Sequence, residues 1–212
     1  MFRKISFTLI ATVMTAATAS AADDMAPLHQ TWAGPYFGLH AGAVFGEFNN
    51  NFTVGPGPDK DFGGPSGGVL AGYNFQHGNL VFGVEGDFSL MDIRAKTSGV
   101  GKFKENYGFS IRGRLGAVMD DYLLFVTAGW AFTDKYFKFS GGASDHKWGD
   151  GFTAGVGIEG AANALFNLGP NWTKRAEYIY TNVEKDNQTV GGVTTVSGSD
   201  NHTIRATLNY HF

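Results

Sequence analysis

The last eleven residues of the chain alternate between two chemistries. Ile204, Ala206, Leu208, Tyr210 and Phe212 share one face of an extended strand, while Thr203, Arg205, Thr207, Asn209 and His211 share the other. Side chains in a strand change side at every residue, so this period separates an apolar face from a polar one. A strand of this kind is satisfied when lipid lies on one side and a polar lumen on the other, which is the environment of a transmembrane β-barrel.

Seven upstream segments obey the same rule, over about Tyr36–Phe48, Gly67–Gln76, Leu80–Met91, Tyr107–Val118, Leu123–Thr133, Phe152–Gly160 and Trp172–Val183. In the third, Phe82, Val84, Phe88 and Leu90 alternate with Gly83, Glu85, Asp87 and Ser89. In the fifth, Leu124, Val126, Ala128, Trp130 and Phe132 form the apolar set. His77-Gly78-Asn79 and Asp120-Asp121 read as tight turns. All six prolines fall outside these segments, as a backbone hydrogen-bond ladder requires. Connections after the odd strands are long and polar, and those after the even strands are shorter, with 161–171 the longest of the latter. The expected fold is an all-β, eight-stranded, antiparallel up-and-down transmembrane β-barrel over residues 34–212.

Residues 1–21 read as a signal peptide: Arg3 and Lys4, an apolar stretch from Ile5 to Ala16, and the small-residue site Ala19-Ser20-Ala21. Its removal lowers the net charge of −3 by two, to −5. Residues 22–33 read as an exposed leader. A mildly acidic chain without a basic stripe is not built for nucleic acid. The absence of cysteine excludes a disulfide scaffold, a thiolate metal site and a cysteine nucleophile. After the leader no apolar run reaches the roughly 20 residues of a spanning helix. Thirty-one glycines and 15% aromatic residues suit a narrow barrel with aromatic rims.

The inward positions carry Glu85, Asp87, Glu159 and Glu177 against Arg112, Arg114, Arg175 and Arg205. Four acids and four arginines balance, and paired they are tolerable in a narrow interior where none could stand alone. Small barrels fill their interiors with side chains, so a structural plug is favoured over an ion path. Gly155-Val156-Gly157-Ile158-Glu159-Gly160 matches G-x-G-x-x-G, but within a strand rather than before a helix, so it is no dinucleotide motif. Asn51, Asn171, Asn187 and Asn201 each begin an N-x-T triplet without consequence for an exported barrel. Asp145, His146 and Asp150 share a polar segment but lack a metal-ligand spacing, and no metal is expected. No nucleophile and base can be paired, so no enzyme activity is expected.

Several motifs together resemble the small porin-family outer-membrane barrels of the alphaproteobacterial type, which include surface immunogens, haemin-binding proteins and opacity-protein-like barrels. They are Trp32-Ala33-Gly34-Pro35-Tyr36-Phe37-Gly38, Gly67 to Gln76, Gly83-Val84-Glu85-Gly86-Asp87, Gly113-Arg114-Leu115-Gly116, Arg175 to Tyr180 and Arg205 to Phe212. The chain departs from the family at Gly160-Ala161-Ala162-Asn163-Ala164, where an aromatic and a compact turn often follow, which places the sixth-to-seventh hairpin in question. The resemblance implies the outer membrane of a Gram-negative bacterium, with membrane lipid and the barrel-assembly machinery as partners and Leu208, Tyr210 and Phe212 as the assembly signal. It implies a structural and surface-interaction role, with extracellular loops free to take a ligand. Haem is the specific alternative, with His146, Trp148 and His202 as candidate ligands near those loops and no axial-ligand motif to support them; a narrow-pore porin is the other. Otherwise no cofactor is implied.

Overall fold

A computed structural model describes residues 32–52, 55–56, 60–97, 101–139, 144–162, 168–190 and 193–212. Side chains are described for 32–46, 63–91, 106–134, 148–162, 168–183 and 199–212. The signal peptide and residues 22–31 of the leader lie outside these limits. Eight long strands make up the molecule: β1 (Gly34–Phe52), β2 (Lys60–His77), β3 (Leu80–Thr97), β4 (Gly101–Met119), β5 (Tyr122–Phe139), β6 (Ser144–Ala161), β7 (Trp172–Val190) and β8 (Val193–His211). Each pairs antiparallel with the next, and β8 returns to β1 through a ladder running from Tyr36↔His211 to Phe52↔Thr195. The sheet is therefore a closed barrel, which leaves no edge within the membrane.

Alternation places each face as its chemistry demands. Leu39, Val84, Ile111, Val126, Val156 and Ile158 are exposed on the outside, while Glu85, Arg112, Thr127 and Glu159 are buried inside. Aromatic residues gather at both rims of the apolar band. Phe37, Tyr73, Phe75, Phe82, Tyr122, Trp172 and Tyr210 lie at the end carrying the short turns, and Phe45, Phe88, Phe109, Trp130, Phe132 and Phe152 lie at the other. The turns at Gly78-Asn79 and Asp120-Asp121 form as expected, with Gly78 and Asp120 at φ of 58° and 53°. The sixth-to-seventh hairpin also closes: the Ala162 amide donates to the Trp172 carbonyl at 2.9 Å, while residues 163–167 lie outside the described set.

Three expectations need correction. The strands run 18 or 19 residues, against the roughly 9–11 that cross a bilayer. The excess lies on the side opposite the short turns, so most of what reads as long polar loop is strand continued above the membrane. Pro35 and Pro65, expected outside the strands, lie within β1 and β2. Pro65 is tolerated because the β2–β3 ladder begins only at Ser66↔Met91, leaving β2 with one neighbour there. Finally, Trp32 is not part of an exposed leader. It is fully buried in the lower end of the barrel, with its backbone amide donating to Gln76 Oε1 at 2.9 Å.

The upper part of the barrel is not continuous. β6 and β7 pair only from Gly151↔Val183 downward, just as β2 and β3 pair only from Ser66↔Met91 downward. Bulges at Leu90/Ile93 and Val183/Asp186 sit at these two points, and a bulge bends its strand away from its neighbour. Above the membrane the wall therefore divides into two four-stranded halves, β7-β8-β1-β2 and β3-β4-β5-β6.

Candidate functional site

The barrel interior is a stack of three layers. In the middle, β3 contributes Glu85 and Asp87, β4 Arg112, β7 Arg175 and Glu177, and β8 Arg205. Glu85 is the hub: its carboxylate meets Arg112 Nη2 at 2.6 Å, Arg175 Nη1 at 2.5 Å and Arg205 Nη2 at 3.6 Å, and accepts the Tyr36 hydroxyl at 2.8 Å. Glu177 accepts from Arg112 Nη1 at 3.0 Å, Arg175 Nη2 at 2.8 Å and Arg205 Nε at 2.9 Å. Asp87 accepts from Ser110, from Ser89 at 3.1 Å and from Arg205 Nη1 at 3.2 Å. Three carboxylates face three guanidinium groups, so the layer is neutral.

Below it, Arg114 pairs with Glu159. That carboxylate also accepts from Thr173 Oγ1 at 2.5 Å, Asn209 Nδ2 at 2.8 Å and His211 Nε2 at 3.0 Å. This second cluster is neutral as well. The Phe125 ring lies between two guanidinium groups, with Arg114 Cζ at 4.1 Å and Arg175 Cζ at 4.4 Å from its centre, so an aromatic residue is at home in a charged lumen. Gly72 and Gly157 make room for the Tyr36 and Phe125 rings: a Cβ at either would lie 2.4 Å from ring carbon. At the bottom Trp32, Val81, Val118, Leu123 and Phe125 form a buried apolar cluster, and Trp32 packs edge-on against His211 at 5.8 Å.

All eight charged residues singled out in the sequence line the lumen, and each is 8% exposed or less. Their pairing was not readable from the sequence. Glu159 is directly across the ladder from Arg175 yet bonds to Arg114, while Arg175 reaches across the lumen to Glu85. The apolar floor and Tyr36 were missed. Their signal is apolar residues at inward parity confined to strand ends, as at Val81, Leu123 and Phe125.

Of the three candidate haem ligands, His202 and Trp148 have described side chains, and these pack against different residues. His202, which begins the terminal alternation, lies on the outer face of β8. It stacks on Phe45 at 5.6 Å, and its Nδ1 is 2.6 Å from the Tyr178 hydroxyl. Trp148, on β6, packs instead against Tyr107 of β4 at 5.7 Å. His146 is in β6 as well, its side chain outside the described set, as is that of Asp145. Asp150 accepts from Trp130 Nε1 at 2.9 Å, and among the described residues no three potential metal ligands converge. Leu208, Tyr210 and Phe212 lie on the outer face at the lower rim, with Phe212 74% exposed.

A closed antiparallel barrel with an apolar, aromatic-rimmed outside and a charged, filled inside defines an integral outer-membrane barrel protein. The chain belongs to the outer membrane protein β-barrel domain family, whose model matches residues 8–212. It is 33% identical over 208 residues to the 31 kDa outer-membrane immunogenic protein of Brucella melitensis, covering 86% of this chain and 84% of that one. It is 31% identical over 185 residues to a 22 kDa outer membrane protein of Rhizobium leguminosarum, covering 86% and 79%. Among solved structures, that of Neisserial surface protein A aligns with a TM-score of 0.50 at 18% identity, over 83% of this chain and 97% of that one, a likeness of fold. The protein resides in the outer membrane.

Proposed function

We propose that this protein is a closed, non-enzymatic surface barrel. Its lumen holds the wall together, and the part above the membrane makes its contacts. The observation that carries this reading is the three-layer filling, two neutral ion-pair clusters over an apolar floor, which supports a lumen closed to bulk water. Purified protein in planar bilayers is expected to show no steady conductance, and a wide ohmic channel would overturn the closed lumen.

The overshoot of the strands supports the surface role, as do relatives named as immunogenic proteins. With the short turns facing the periplasm, Asp186→Cys will react with a membrane-impermeant maleimide on intact cells, and Asp121→Cys will not. The native chain has no cysteine to confuse the result. Labelling of both, or of Asp121→Cys alone, contradicts the orientation. Leu208, Tyr210 and Phe212 serve as the recognition strand for assembly in this reading. Phe212→Ala should lower the amount of heat-modifiable barrel in the membrane while leaving refolding in detergent intact; equal loss in both would make its role one of stability.

A further inference from the structure

Above the charged layer the lumen opens outward as a cup of about 70 Å³. Its walls carry the hydroxyls of Ser66, Ser110, Thr133, Thr153 and Thr181 and the Asn201 amide, set among apolar side chains. Most of these groups are engaged: Ser110 on Asp87, Thr133 on the Gly149 carbonyl at 3.4 Å, and Thr153 on Thr181 at 3.0 Å. Ser66 Oγ and Asn201 Oδ1 are not. Both are buried in the cup wall without a hydrogen-bond partner in the protein, and buried polar atoms in native proteins are almost always matched by something.

We propose that the cup binds an uncharged polyhydroxyl group, such as a small polyol or the edge of one sugar ring. Three features select this class. Asn201 Oδ1 needs a donor, which a carboxylate or phosphate ester lacks and a hydroxyl has; a hydroxyl suits the amide in either orientation. The floor below, with Asp87, Arg112 and Arg205, belongs to a balanced ion-pair layer that a charged ligand would unbalance. At about 30 Å³ for each packed water-sized group, the volume holds about two such groups, the scale of two neighbouring hydroxyls on the edge of a sugar ring.

Access comes from two directions. The cup is open at the top, and the ends of the β2–β3 and β6–β7 ladders place a slot on each side. Ser66 and Met91 stand at one, and Gly151 and Val183 at the other. Both slots begin level with the upper aromatic rim, where headgroups lie. The same hydroxyl chemistry can therefore arrive as a free sugar or as the headgroup of an amphiphile in the membrane.

The test uses the full mature chain refolded in lauryldimethylamine oxide, a detergent without hydroxyls. Methyl α-glucoside, octyl glucoside and inorganic phosphate are titrated in turn, with the side-chain amide resonance of Asn201 as the reporter. We expect a saturable shift with a glucoside, weakened about three- to tenfold in Ser66→Ala, the consequence of losing one hydrogen bond. A response to octyl glucoside alone assigns entry to the slots, and an equal response to methyl α-glucoside assigns it to the open top. The proposal is overturned if neither glucoside gives a saturable shift, if phosphate binds more tightly at the same resonance, or if Ser66→Ala binds as the native protein does. The site rests on the closed floor, which bilayer conductance tests separately from the titration.

Discussion

Glu85→Ala will destabilise the barrel by about 3–5 kcal/mol, the range seen when one partner of a buried ion pair is removed. Glu85 is 1% exposed and sits between three arginines and the Tyr36 hydroxyl, so its carboxylate ties β1 to β4, β7 and β8. Its loss leaves Arg112 and Arg175 each with a guanidinium edge facing a void in a medium of low dielectric. It also gives the middle layer a net positive charge. Glu177 cannot compensate, because its two oxygens already receive Arg112, Arg175 and Arg205. The measurement is the urea midpoint for refolding in detergent, with heat-modifiable mobility as the sign of a folded barrel. A loss below about 1 kcal/mol, the range of an exposed pair, would mean that water reaches this layer and that the lumen is wetter than its packing indicates.

Trp32→Ala should cost a similar amount, about 3–5 kcal/mol, for a different reason. Trp32 is fully buried against Val81, Val118, Leu123 and Phe125, and truncation leaves a cavity that the stiff barrel wall cannot collapse to fill. The same change frees the last turn of the chain before β1, since the Trp32 amide on Gln76 is held in place by the ring. Trp32→Phe, which keeps an aromatic ring in the floor, should recover more than half of the loss. If Trp32→Ala melts with the native protein, the ring is not a component of the floor. Trp32 meets His211 of the Glu159 cluster, while the Glu85 layer lies above that cluster, so this variant should remain non-conducting.

These two effects have different origins, and the lumen needs both. The ion pairs make polar inward faces tolerable in a narrow space but add little net stability over apolar packing. The apolar floor contributes burial at the end nearest the short turns, where the strands are well paired. The lumen thus carries its ion pairs in the middle and its apolar cluster at the end with the short turns.

Much of this was legible beforehand. The eight strands, their order, their lipid and lumen faces, the two tight turns and the eight lumen charges all follow from a period of two. In β3 the run from Phe82 to Leu90 reveals both faces without reference to any other strand. The pattern failed above the membrane, as at 184–190, where Glu184, Lys185 and Asp186 follow one another and no apolar face is left to read.

The sequence by itself determined which residues face lipid and which face the lumen, because that choice is made residue by residue through the alternation of side chains and the solvent each face requires. The tertiary structure alone decided who meets whom inside. Arg205 and Asp87 are 118 residues apart and Arg175 and Glu85 are 90 apart, on strands that are not neighbours in the sheet. Only closure of the barrel brings such side chains across the lumen, and the same closure turns Trp32 from a leader residue into the floor. Likewise the two slots arise where ladders end and bulges bend the strands apart, a property of pairing between strands that no single strand contains.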